Sequence, residues 1–256
     1  MTADKPTATY GGYVFGLGIM ALALVALALG DFDPGQPVPK AFPERAVLAY
    51  AADAFLLVAG AAVLWRRTVA WGAGALTAYY GLIVVLLMDG RSVLRHAREF
   101  LAYTNTAEQM AIAAAALIVF AAHARIDPVL AARLTRAGQI AFGVCALLFG
   151  AAHFAFMNMT APLVPKWLPP GQLFWGYATG VFHILAGLAI LTGVQARLAA
   201  ILLTVMFAAF TPLVHIPLFL ADPANHGEWA ENALNLVLIG AAWVVADSLA
   251  RARRQG

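Results

Sequence analysis

Eight apolar stretches fix what this 256-residue chain can become. Each approaches the ~20 residues that a helix needs to cross a ~30 Å hydrocarbon core. They fall at roughly 12–30, 46–65, 69–88, 106–124, 138–157, 173–193, 196–220 and 230–250. In lipid, every backbone N–H and C=O must be satisfied within the protein, which leaves only helices and closed barrels. These runs are continuous rather than alternating, so barrel strands are ruled out. The expected class is an all-α polytopic membrane protein with eight spans in contact with the bilayer. Composition agrees, at 62% hydrophobic and 11% charged, where soluble chains average about a quarter charged. The first stretch has only Lys5, balanced by Asp4, as a leader, and reads as a retained span rather than a signal peptide.

The hexapeptide Val38-Pro39-Lys40-Ala41-Phe42-Pro43 returns 126 residues later as Val164-Pro165-Lys166-Trp167-Leu168-Pro169. Around it, Tyr50 through Gly60 lies over Tyr177 through Gly187, and Phe15-Gly16 over Phe142-Gly143. A fixed internal period implies one unit used twice. Residues 1–125 and 138–250 are therefore expected to form two four-helix transmembrane repeats. Each has an even number of spans, so the repeats run parallel about an axis along the membrane normal. The basic stretch from Arg125 to Arg136, with Asp127-Pro128 as a turn signal, links them. Between the third and fourth spans, Val93, Leu94, Ala97 and Leu101 recur at helical spacing, which predicts a short helix lying on the surface.

Both termini of an eight-span chain share one side. That side carries Lys5, Arg66, Arg67, Arg125, Arg133, Arg136, Arg197, Arg251, Arg253 and Arg254; the other carries Lys40, Arg45, Arg91, Arg95, Arg98 and Lys166. The positive-inside rule then places both termini in the cytoplasm of a multi-pass protein of the cell inner membrane. The net charge of +3 is this bias and gives no reason to expect nucleic acid as a partner. Cys145 is the sole cysteine, so the chain alone cannot run dithiol–disulfide exchange. Within a span it reads as a small hydrophobe.

The histidines carry the chemical signal. His153, His183 and His215 fall in spans five, six and seven, while Glu231 and Asn235 lie one helical turn apart on span eight. At 1.5 Å per residue, His153 and His215 sit roughly 6–8 Å inside the outer boundary and His183 about 15 Å inside it. In the first half the positions matching His153 and His183 are Ala26 and Leu56. Ionisable groups within a membrane are costly and mark functional sites by default. As a metal site, His153, His183 and His215 would hold a transition metal. As a ligand site, the same imidazoles with Glu231 and Asn235 would bind and protonate a quinone-like molecule. The plainer reading makes each histidine an interhelical hydrogen-bond partner. Glu231 is open to that reading too, because Ala107-Glu108-Gln109 matches Ala230-Glu231-Asn232 and keeps the carboxylate in the half without histidines. Pro212 and Pro217 bracket His215 and predict a kink there. No phosphate-binding glycine loop, zinc helix or hydrolase elbow is present.

Phe149-Gly150-Ala151-Ala152-His153-Phe154, then Thr160-Ala161-Pro162 and Val164-Pro165-Lys166-Trp167-Leu168-Pro169, then Thr179-Gly180, His183 and Ala186-Gly187 follow in order. Over residues 138–250 this series resembles DoxX-like membrane proteins. That family has a single four-helix unit, so the first half departs from it and reads as a diverged copy. The resemblance implies membrane redox chemistry: one branch is similar to small subunits of thiosulfate:quinone oxidoreductase, and others are tied to thiol and oxidative-stress complexes. It brings no catalytic residue with it. The expected function is the membrane component of a redox system, with a quinone or transition metal near the outer leaflet and a soluble oxidoreductase or other redox partner. A non-enzymatic scaffold or anchor for a soluble partner is the alternative. A small-molecule transporter is a third reading, to which no matching pair of broken helices points.

Overall fold

The computed structural model describes residues 9–252. Lys5, Arg253 and Arg254, together with the side chain of Arg251, lie outside the described residues. The described residues are helical throughout their regular structure, and eight helices are long and apolar enough to cross a membrane. They are α1 (Tyr10–Leu29), α2 (Arg45–Val63), α3 (Val69–Arg95), α4 (Phe100–His123), α5 (Pro128–Ala155), α6 (Gln172–Thr192), α7 (Ala196–Ala221) and α8 (His226–Ala250). The expected spans are all present, and α4, α5 and α8 begin several residues earlier, in the polar boundary.

Two sequence expectations are corrected at these ends. The short helix expected between the third and fourth spans forms as Gly90–Arg95, with no buried residue, but it continues α3 instead of lying apart. The Gly90 N–H bonds the Val85 carbonyl and carries α3 on to Arg95, and α4 starts at Phe100. The basic linker is likewise mostly helix. Asp127 caps α5 by accepting from the N–H groups of Val129 and Leu130, each at 3.0 Å, so Arg133 and Arg136 sit on its first turns. Arg136 then donates to the Ile190 carbonyl at 3.1 Å and the Leu191 carbonyl at 2.6 Å, satisfying the end of α6.

Each helix packs on its neighbours in chain order, α8 closes back on α1, and α4 touches α8 across the middle. The bundle is thus two five-helix rings, α1-α2-α3-α4-α8 and α4-α5-α6-α7-α8, that share α4 and α8. These shared helices are the most buried spans, at 56% and 67% of their apolar windows. The pairings within α1–α4 recur within α5–α8, and so do details. Gly16 and Gly60 cross where α1 meets α2, and Gly143 and Gly187 cross where α5 meets α6; a Cβ on Gly60 would stand 3.1 Å from the Gly16 carbonyl oxygen, and one on Gly187 2.7 Å from that of Gly143. The repeated Val-Pro-Lys loop is held alike in both places. Arg45, first in α2, donates to the Val38 carbonyl at 2.5 Å, and Gln172, first in α6, donates to the Val164 carbonyl at 2.6 Å.

α3 and α7 both leave α-geometry partway along, through π-helical stretches at Tyr79–Asp89 and Thr211–His215. Pro212 accounts for the second by removing an N–H from the ladder. The first contains no proline, and its sequence gave no warning.

The loops on the face opposite the termini differ. Residues 31–38 fold into the mouth of the first ring, burying Phe32, Asp33 and Gln36. Tyr79 donates its hydroxyl to Gln36 Oε1 at 3.1 Å beneath. Desolvation pushes the Asp33 carboxyl up to about 6, against the opposing pull of the Gly35 N–H and Gln109. The corresponding loop after α5 stays largely at the surface, with only Ala161 buried. One ring is plugged, and the other holds a cavity.

Candidate functional site

A cavity of about 280 Å³ lies within the second ring, on the loop-bearing side. Every helix of that ring lines it: Thr104, Asn105 and Glu108 from α4, Phe149 and His153 from α5, His183 from α6, Phe207, Phe210 and His215 from α7, and Glu231, Leu234 and Asn235 from α8. All five residues singled out in the sequence therefore meet at one place.

His183 is 1% exposed and forms the floor. Its ring centroid is 5.0 Å from that of His153, 5.5 Å from Phe207 and 6.0 Å from Phe149. His153 and His183 are oriented in the same way. Nδ1 of His153 bonds the Phe149 carbonyl at 2.8 Å, and Nδ1 of His183 bonds the Thr179 carbonyl at 2.9 Å. A carbonyl only accepts, so each Nδ1 carries the proton, and the neutral rings offer Nε2 as a bare acceptor. Neither Nε2 finds a protein hydrogen-bond partner among the described residues. His215 lines the cavity from the π-helical stretch of α7 and is half-buried.

The expected metal arrangement does not form. Among the described residues, no group of three His, Cys, Asp or Glu side chains is placed to hold a metal ion. His153 and His183 approach each other, but His215 does not complete the set.

Asn235 lines the cavity and also ties two helices together. Its amide nitrogen donates to the Phe207 carbonyl at 3.1 Å and to the Thr211 hydroxyl at 2.9 Å, fixing α7 where the π-helical stretch begins. Asn232, one turn closer to the helix start, donates to the His215 carbonyl at 3.1 Å. Both asparagines hold α7 against α8. Glu231 does face the cavity.

Glu108, which the sequence marks only as the counterpart of Glu231, joins the site as well. It comes from the first half of the chain, yet it lines the second-ring cavity within electrostatic range of Glu231. The signal was available in the matching Ala-Glu pairs of α4 and α8. Among the described residues, no Lys or Arg side chain lines the cavity. Two carboxyl groups and three imidazoles line it, so the interior is polar and offers both hydrogen-bond donors and acceptors.

His153 reaches this position because position 180 is glycine: a Cβ there would lie 2.9 Å from the His153 Cβ and 2.9 Å from the Phe154 ring. In the first half the matching residue is Asp53, opposite Ala26, so bulk and polarity have changed helices at the same crossing. Gly180→Val should displace His153 and cost about 1–3 kcal/mol of stability by overpacking, read as a lower thermal midpoint of the purified protein.

Residues 142–246, from within α5 through most of α8, match a family described as "Domain of unknown function (DUF8561)". No curated protein and no solved structure matches the chain.

Proposed function

We propose that this chain is a DoxX-like protein of the cell inner membrane that binds a quinol or quinone head group in the second-ring cavity, as the membrane component of a redox system. The termini are on the cytoplasmic side, and the loops and cavity mouth face outward. A soluble oxidoreductase or other redox partner at that outer face completes the system.

The observation that carries this reading is the pair of Nε2 acceptors on His153 and His183 beside a ring-sized aromatic cavity. Ligand pockets run from about 300 to 1,000 Å³, so a volume near 280 Å³ suits one substituted ring rather than a larger molecule. The hydroxyl hydrogens of a quinol complement bare imidazole nitrogens, and Phe149, Phe207 and Phe210 supply faces for ring packing. Glu108 and Glu231 supply further polar contacts, and a lining without Lys or Arg among the described residues gives an anion such as thiosulfate no counter-charge. A lipid-soluble neutral ring enters from the bilayer without paying to shed charge.

The test is titration of purified protein in lipid nanodiscs with a short-chain quinol, followed by calorimetry. Saturable binding is expected, weakened about tenfold in His153→Phe, the worth of roughly one hydrogen bond to a ring hydroxyl. Absence of saturable binding to the wild-type protein sinks the proposal, as does unchanged affinity in the variant.

A further inference from the structure

The plugged first ring holds a second polar cluster, one that the histidine cavity does not use. Below the 31–38 loop sit Asp53 of α2, 1% exposed, and the fully buried Tyr80 of α3 and Gln109 of α4. Asp33 Oδ2, Asp53 Oδ2, the Tyr80 hydroxyl and both amide atoms of Gln109 have no hydrogen-bond partner among the described residues. These groups are neighbours. Asp33 and Asp53 lie within electrostatic range of each other and of Tyr80. Asp33 Oδ2 and Gln109 Nε2 flank Gly35, where an added Cβ would fall 3.2 Å and 2.5 Å from them. Gln109 stands close enough to ease ionisation of Asp33, yet its amide nitrogen completes no well-formed hydrogen bond there. Arg45, at the start of α2, is committed elsewhere, to Asp31 at 2.7 Å and to the Val38 and Pro39 carbonyls.

Two carboxyl groups in a low-dielectric interior require either protons or a counter-charge. Protonated carboxyls would be expected to bond each other, Tyr80 or Gln109 directly, and Asp33 Oδ2, Asp53 Oδ2, the Tyr80 hydroxyl and the Gln109 amide complete no such bond among the described residues. Hard oxygen donors are instead suited to a hard cation. A divalent ion is disfavoured, because no third acidic or histidine side chain joins the pair in ligating geometry.

We propose that Asp33, Asp53, Tyr80 and Gln109 form a binding site for one small monovalent cation of the Na+ type, roofed by the 31–38 loop. One carboxylate supplies the counter-charge; the other carboxyl, keeping its proton, joins the phenol oxygen and Gln109 Oε1 as neutral ligands. The site stands independently of the quinol reading, because it lies in the other ring and shares no side chain with the cavity.

The experiment compares thermal unfolding of the full chain in NaCl and in choline chloride at equal ionic strength, with radioactive Na+ binding measured in parallel. Na+ should raise the wild-type midpoint saturably by several degrees, and one ion per chain should bind. Asp53→Asn and Gln109→Leu should each weaken binding at least about tenfold. Equal midpoints in the two salts with no bound Na+ would overturn the proposal. So would Na+ binding retained in both variants, or a midpoint that follows pH alone, which would assign protons to the carboxyls.

Discussion

His183→Leu protein should fold and insert normally while losing quinol affinity by about tenfold to a hundredfold. His183 is the most enclosed polar group of the cavity, so no water readily replaces its Nε2. A ring hydroxyl that loses this acceptor is left unsatisfied in a desolvated site, which costs about 1–3 kcal/mol. The fold has little at stake. The Nδ1 bond to the Thr179 carbonyl joins residues of the same helix, and an intramolecular hydrogen bond of this kind is worth about 1 kcal/mol net. The chain also contains its own control. Leu56 occupies the matching position of α2 at 2% exposure, so a leucine packs at this register of the repeated unit. Thermal unfolding and quinol titration on the same preparation separate the two effects. A wild-type midpoint with lost binding is the expected result; wild-type binding would remove His183 from the site.

The number of spans and their helical nature were legible because hydrocarbon thickness imposes a length that apolar runs must meet. Their ends were less so. α4, α5 and α8 begin at Phe100, Pro128 and His226, several residues before the apolar runs do, because a helix continues into the polar boundary where hydropathy no longer marks it. The three histidines stood out as polar groups where lipid would penalise them. Glu108 was just as visible but could not be placed, since only tertiary packing shows that α4 belongs to both rings. The burial of Asp33 and Gln36 was hidden for a related reason: a polar, proline-rich loop reads as solvated until its contacts with Tyr79 and Gln109 are known. Nor did Tyr79–Asp89 announce its π-helical geometry, lacking the proline that flagged Thr211–His215. What the repeat did signal was position. Arg45 and Gln172 share no chemistry beyond donating a hydrogen bond, yet both hold the valine carbonyl of the same loop.

Gly240→Leu is expected to be the most damaging single change in the bundle. A Cβ at this position would lie 2.3 Å from the Phe15 nitrogen and 2.4 Å from its Cα, so the obstacle is the α1 backbone rather than a movable side chain. The same seam is tight at two further points: a Cβ on Gly18 would lie 2.7 Å from the Val237 nitrogen, and one on Gly11 2.7 Å from the Val244 nitrogen. In lipid, helices associate through such close packing rather than through expulsion of water, and small residues at the contact set how near they can come. Leucine would force α1 away from α8 along this seam, forfeiting dispersion contacts over several turns. The expected loss is about 3 kcal/mol or more, at the severe end of overpacking. Because α8 also belongs to the second ring, the displacement should carry through Leu234 and Asn235 to the cavity and weaken quinol binding as well. Gly81→Ala provides the contrast, since the nearest atom to its added Cβ is the Ala113 Cβ at 4.0 Å. That variant should unfold like the wild type in a denaturing-detergent titration, whereas Gly240→Leu should unfold well before it. Equal unfolding midpoints for the two would mean that α1 and α8 do not meet through their backbones.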